Sequence, residues 1–252
     1  MTASADVLPR PLAIAIIAAL LICASAAWLV TADQASMSGA GGVAMLGAGL
    51  FLATWVVMMV AMMFPSVAPM VFTHARIVRS RGEGALPTVS FVLGYLIVWT
   101  AAGLVPLAVI QLLGSIGSPV SGWLPRLGGV VVILAGVYQL TPFKNVCLRA
   151  CRSPLSFVLA HDFGGGAPAA ARAGISHGAF CLGCCWALMA VLAVLGLMNL
   201  TWMAVFAVVF FLEKNWRQGV MLARVVGVAC VVLGAAVLVR PDFLGLLGGP
   251  MA

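Results

Sequence analysis

The sequence predicts an all-α protein, a polytopic transmembrane bundle of seven helices, and three observations carry that prediction. Of its 252 residues, 64% are hydrophobic and only 8% are charged, whereas soluble domains are about a quarter charged. Seven apolar stretches approach or exceed the ~20 residues a helix needs to cross a hydrocarbon core. The basic residues behind the net charge of +7 fall predominantly on one side of those stretches, as cytoplasmic loops do.

The stretches run approximately over 12–30, 43–64, 87–113, 127–140, 175–198, 200–212 and 220–239. The first contains Ala24, Ser25 and Ala26, a small-residue pattern found at signal cleavage sites. Its apolar run is longer than a signal core and only Arg10 precedes it, so it reads as a retained helix. The fourth and sixth are short and are expected to tilt, kink or borrow flanking residues. Six crossings remain if the first helix is cleaved or one short span is re-entrant. With the N-terminus in the cytoplasm, one side collects Arg10, Arg76, Arg79, Arg81, Lys144, Arg149, Arg152, Arg172, Lys214, Arg217 and Arg224, and the other keeps Arg126 and Arg240. That asymmetry sets the orientation. The positive charge is therefore read as topology, with the lipid bilayer as partner and no nucleic acid.

Residues 1–252 read as one integral membrane domain. Its longest connection, 141–174, is expected to be a cytoplasmic loop holding "CLRACRSPLSFVLAHDF", with a short surface helix over 153–163, and then a Gly-rich linker, "GGGAPAAARAG". It lacks the GK[ST] of a P-loop, and no internal repeat is evident.

Sulfur is distributed unevenly. In "WVVMMVAMMFPSVAPM", helical spacing gathers Met58, Met59, Met62, Met63 and Met70 with Trp55 and Ser66 onto one face about 140° wide, opposite Val56, Val57, Val60, Ala61 and Phe64. Pro65 and Pro69 are expected to interrupt the helical hydrogen bonds beyond the methionines. Thioethers are soft ligands that select Cu(I), although methionine also fills irregular cores. In "HGAFCLGCCWALM", His177, Cys181 and Cys184 share an arc of about 60°, with Cys185 about 40° away. They are placed in the first turns of their helix, where its dipole favours thiolate. Thiolate with imidazole suits copper, zinc or iron. Small cysteines also serve as helix-packing residues.

Cys147 and Cys151 in "NVCLRACR" are i, i+4 partners beside Lys144, Arg149 and Arg152. They read as exposed thiols for metal transfer or redox exchange, or as unpaired cysteines beside ordinary positive-inside residues. Cys23 and Cys230 read as packing residues. Glu213 and Lys214 close the sixth stretch and are expected to pair with each other. His74, His161 and Asp162 read as solvated, while Tyr138, Gln139 and Thr141 add polar groups to the fourth helix end. In this topology all the unusual ligands lie on the cytoplasmic side. The predicted spans hold no acidic residue away from their ends, which disfavours a proton-coupled transporter. No base with an orienting carboxylate can be assigned for hydrolysis.

The segments "WVVMMVAMMFPSVAP", "GVYQLTPFKNVCLRACRSP" and "HGAFCLGCCWALM", with "MN" followed by "EK", together resemble a bacterial family of unknown function described as predicted metal-binding integral membrane proteins. The resemblance covers approximately residues 50–220 and implies a multi-pass protein of the inner (cytoplasmic) membrane with a metal site. Its pattern falls on Trp55, Met58, Met59, Met62, Met63 and Pro65, then on Tyr138, Gln139, Pro142, Lys144, Cys147, Cys151 and Arg152. It continues on His177, Cys181, Cys184, Cys185 and Trp186, and on Asn199, Glu213 and Lys214.

The leading expectation is a membrane protein binding a soft transition metal, copper first, for trafficking, insertion or export. Its ligands would be Met58, Met59, Met62 and Met63 of the second helix and His177, Cys181, Cys184 and Cys185 of the fifth. Cys147 and Cys151 would form a transfer site, and a metal donor or acceptor protein would be the partner. Zinc, iron and haem remain open at this stage. A membrane oxidoreductase, with Trp55, Tyr138 and Trp186 bordering a quinone or small-substrate pocket, is the second reading. An accessory subunit of a membrane complex is the third.

Overall fold

Long apolar runs broken by glycine, proline and capping residues fold here into helices of very different burial. The computed structural model describes residues 10–38, 47–116, 123–161 and 165–243, and its regular elements are all helical. They are α1 (Arg10–Ser38), α2 (Ala48–Ser80), α3 (Leu86–Ala102), α4 (Leu104–Ile116), α5 (Leu124–Leu140), α6 (Pro142–Arg152), α7 (Pro154–Ala160), α8 (Gly166–Leu195), α9 (Leu200–Asn215) and α10 (Gly219–Val239). The start of the second apolar stretch and Asp162 lie outside the described residues.

Each of the seven apolar stretches contributes helix. Five spans are long and apolar enough to cross a membrane by length and composition: Leu12–Ser36, Ala48–Ser80, Leu86–Leu112, Gly166–Leu195 and Gly219–Val239. A sixth is reached if α5 and α6, bent by 64° at their junction, count together. At 16 residues, α9 falls short of that length. The α5–α6 bend has a local cause. Thr141 caps α6, its side chain accepting from the Lys144 backbone N–H, and Pro142 fits the first helical turn where no N–H is needed.

Burial divides the bundle into a centre and a rim. In the apolar windows of α2 and α8, 61% and 56% of residues are buried, against 17% in α1 and 28% in α10, so α2 and α8 are the central helices. On the rim, Ile14, Ile22, Leu29, Leu93, Ile97, Val105, Leu134 and Val232 remain exposed.

Close packing uses small residues, which let helix backbones approach. A side chain at Gly174 of α8 would collide with the Phe91 carbonyl of α3, and one at Gly136 of α5 would strike the Gly227 carbonyl of α10. The register, Phe91 beside Gly174 and Val98 beside Gly178, makes α3 and α8 parallel. Gly129 meets Gly234 while Gly136 meets Gly227, so α5 and α10 run antiparallel.

The prolines do not break α2, which continues as one helix through Pro65 and Pro69. Pro65 has no N–H for the carbonyl four residues earlier, that of Ala61. The Trp28 indole of α1 donates to this carbonyl at 3.1 Å, so a neighbouring helix supplies the missing bond.

The segment expected to be a loop and linker is largely helical. The surface helix appears as α7, and α8 begins at Gly166, inside "GGGAPAAARAG". Alanine has the highest helix propensity and proline is tolerated in a first turn, and these two properties outweigh the glycines.

Candidate metal centre

The early start of α8 relocates its cysteines. His177, Cys181 and Cys184 lie roughly three to five turns inside the helix. The expected help from an N-terminal dipole is therefore lost, because that effect fades within the first turn. The i, i+4, i+7 spacing still puts their side chains on one face, and His177, Cys181, Cys184 and Cys185 are all buried.

The facing wall is α6. Its bend away from α5 carries Cys151 inward, and the Cys151, Cys181 and Cys184 sulfurs lie within 4.8 Å of one another. Cys151 and Cys184 Sγ are 3.9 Å apart, and Cys185 Sγ is 3.4 Å from Cys184 Sγ. Cys151, expected to be exposed, is buried. Its charged neighbour Arg149 is exposed on the outer side of this short helix, while Arg152 is half-buried. Cys147 is half-buried, its sulfur against Gly183 of α8.

Lys214 of α9 completes the cluster. Its Nζ lies 3.1 Å from Cys181 Sγ, 3.2 Å from Ser66 Oγ and 3.8 Å from Met63 Sδ. The Tyr95 hydroxyl of α3 is 3.2 Å from Cys181 Sγ on another side. One buried ammonium thus links the thiol cluster to the methionine face, supplying a positive charge beside sulfur that binds metal as an anion. Phe210, one turn back on α9, places its ring 6.0 Å from the same ammonium.

Glu213 does not pair with Lys214. Its carboxylate accepts from Lys144 Nζ at 2.7 Å and from Gln139 Nε2 at 3.2 Å, and Lys144 also donates to Gln139 Oε1. Residues adjacent on a helix point about 100° apart, so Glu213 turns to the α5–α6 bend and Lys214 to the sulfurs. Arg152 donates to the Glu213 and Arg217 carbonyls at 2.5 and 3.1 Å, tying α6 to the end of α9.

The remaining sequence candidates divide clearly. Met58, Met59, Met62 and Met63 are all buried in the core, and Met63 reaches the cluster through Lys214. The backbones of α2 and α8 make little direct approach, and α3 and α9 each pack against both. Trp55 donates to the Trp99 carbonyl at 2.8 Å. Tyr138 donates to the Gly183 carbonyl at 2.7 Å, with the half-exposed Trp186 edge-on to its ring. These aromatics brace helices instead of bordering a common pocket.

Beside the cluster lies a partly open cavity of about 170 Å³, reached by Cys151, His177, Lys214, Ser66, Met70 and Arg152. His177 packs against Phe157, Tyr95 and Phe91, and its Nδ1 is buried with no hydrogen-bond partner among the described residues. Sequence reasoning passed over Tyr95, Ser66 and Met70 as site residues. Tyr95 carried a usable signal, since it is one of two tyrosines in the chain and sits inside an apolar span.

Three buried thiols, an ammonium and nearby imidazole and thioether donors define an all-α protein with a centre suited to a soft metal. A family model described as a copper chaperone, PpoB2, matches residues 52–237, and the chain belongs to that family. No curated protein and no solved structure matches it.

Proposed function

We propose that this chain is a membrane-embedded handler of Cu(I), which it receives on a buried thiolate cluster and releases to an acceptor protein. Cys151, Cys181 and Cys184 are the primary ligands, with Cys185 adjacent and His177 within reach of the cavity. The observation that carries the reading is the convergence of those three sulfurs within 4.8 Å from two separate helices. Thiolates are soft donors suited to Cu(I), and the family description agrees. Zinc and iron are the less favoured cargoes, because the neighbouring reserve donors are thioethers.

The exposed Ile, Leu and Val side chains on the rim helices, together with five spans of membrane-crossing length, support an inner-membrane location. The positive-inside count supports a cytoplasmic N-terminus.

Purified in detergent without oxygen, the wild-type protein binds stoichiometric Cu(I), measured by mass spectrometry, and X-ray absorption reports sulfur ligands. Cys181→Ser and Cys184→Ser lose that copper. Absence of stoichiometric copper from anaerobic wild-type protein overturns the reading.

A further inference from the structure

The cavity beside the thiol cluster differs electrically from what a bare metal cation would favour. Among the described residues its wall holds two cationic side chains, Lys214 and Arg152, and no carboxylate. Glu213, the nearest acid on α9, is engaged by Lys144 and Gln139. Arg152 spends its hydrogen bonds on backbone carbonyls, and no acid pairs with it among the described residues. Such a lining repels free Cu⁺ or Cu²⁺ and attracts anions, most strongly where low-dielectric walls focus the field. The space also exceeds what an ion needs, since one water occupies about 10–15 Å³ on the same measure and the cavity offers about 170 Å³. Cys151 and the His177 imidazole line the same cavity and offer donors to whatever enters.

We propose that copper enters this cavity as an anionic Cu(I) complex of small thiolates, recognised by Arg152 and Lys214, and not as a free cation. The proposal rests on the Cu(I) reading above and adds the chemical form of the substrate. The His177 imidazole coordinates first as a neutral donor, forming a Cu–N bond. The Cys151 sulfur then forms a Cu–S bond as one Cu–thiolate bond breaks, and the cysteine proton leaves on the departing thiolate as free thiol. Copper stays Cu(I), so no oxidant or reductant is required. Exchange with Cys181 repeats the step and releases the second thiol; Cys184 then forms the third Cu–S bond as the Cu–N bond to His177 breaks, and its proton leaves to water through the open side of the cavity. The resulting copper trithiolate is balanced by the same two cations: three thiolates against one Cu⁺, Lys214 and Arg152 sum to zero. Neutrality matters there because an unbalanced buried charge is costly.

The test follows anaerobic loading of the full-length protein by stopped-flow absorbance. Copper is supplied either as Cu(I) in excess 2-mercaptoethanol, an anionic thiolate complex, or as the tetrakis(acetonitrile) cation. As salt rises from about 0.01 M to 1 M, the Debye length falls from about 30 Å to about 3 Å. The rate from the thiolate complex is expected to fall about tenfold while the rate from the cation rises. Asn215, exposed at the cavity rim, allows a charge change with little change in size. Asn215→Asp should slow the thiolate complex about fivefold at low salt at wild-type final stoichiometry, and Arg152→Gln should flatten the salt dependence. Arg126→Gln, which removes a charge stacked on Trp123 outside the cavity, should change neither. A thiolate rate that is flat or rises with salt, or cavity variants indistinguishable from Arg126→Gln, overturns the proposal while leaving copper binding intact. Wild-type protein that loads from neither complex overturns the copper reading as well.

Discussion

Glu213 and Lys214 are consecutive residues on α9, both buried, and they serve opposite kinds of neighbourhood. Glu213 closes a triangle with Lys144 and Gln139 in which each charged head has a polar partner. Lys214 faces Cys181, Met63 and Ser66, and among the described residues no carboxylate answers its charge. The first cluster is saturated, and the second holds the charge and soft donors that the proposed copper site would use. A buried charge is thus uninformative until its partners are known: the same helix end builds a brace and a receptor on adjacent residues.

The comparison breaks most dramatically at the brace. Glu213→Ala leaves Lys144 buried and uncompensated, and should cost about 3–5 kcal/mol, read as loss of folded protein in thermal denaturation. The paired replacement Lys144→Met with Glu213→Leu should recover most of that stability, since apolar substitution of both partners is often near neutral. Recovery with wild-type copper content would establish the triangle as purely structural. At the receptor the signs reverse. Cys181→Ser should abolish stoichiometric copper while shifting stability by less than about 1.5 kcal/mol, within the ordinary range for one buried polar substitution.

Smaller effects sharpen the division. Lys214→Met removes the counter-charge and fills the space with a thioether, and should weaken copper affinity by about 10–100-fold, the usual size for groups that support metal ligands. Affinity is read by competition with a Cu(I) chelator, and retention of wild-type affinity would make the ammonium a packing group. Met63→Leu should be the mildest, costing less than about 1.5 kcal/mol as a near volume-conserving change and moving affinity less than Lys214→Met. A larger loss would promote the methionine to a direct ligand.

Much of this arrangement was legible in the sequence. Composition and run length identify an all-α bundle because apolar runs of this length leave the backbone few alternatives. The grouping of His177, Cys181 and Cys184 follows from helical periodicity alone. The inward position of Cys151 was not legible, because it depends on a 64° bend that aims α6 at α8. A sequence shows Thr141 and Pro142 as a break, but not the direction taken after it. The Glu213–Lys214 pairing failed for a readable reason: adjacent helical residues diverge, and Lys144 lay outside the local window. The supposed linker failed because glycines were weighted above the alanines beside them. The methionine face was recognised as unusual, but its link to the thiols runs through Lys214, a third helix's contribution that the periodicity of α2 alone does not contain.

Pro65 and Trp28 carry a lesson about mutational history. The indole bond to the Ala61 carbonyl covers an acceptor that the proline leaves without its helical donor. Replacing Trp28 first strands that carbonyl; replacing Pro65 first restores a backbone N–H, after which the indole is dispensable. The two orders of substitution reach the same double variant through single variants of unequal stability. A double-mutant cycle on Trp28→Phe and Pro65→Ala should therefore show coupling of about 1 kcal/mol, although the two residues belong to different helices. The helix that tolerates a proline at its centre is in this sense a property of two chain segments at once.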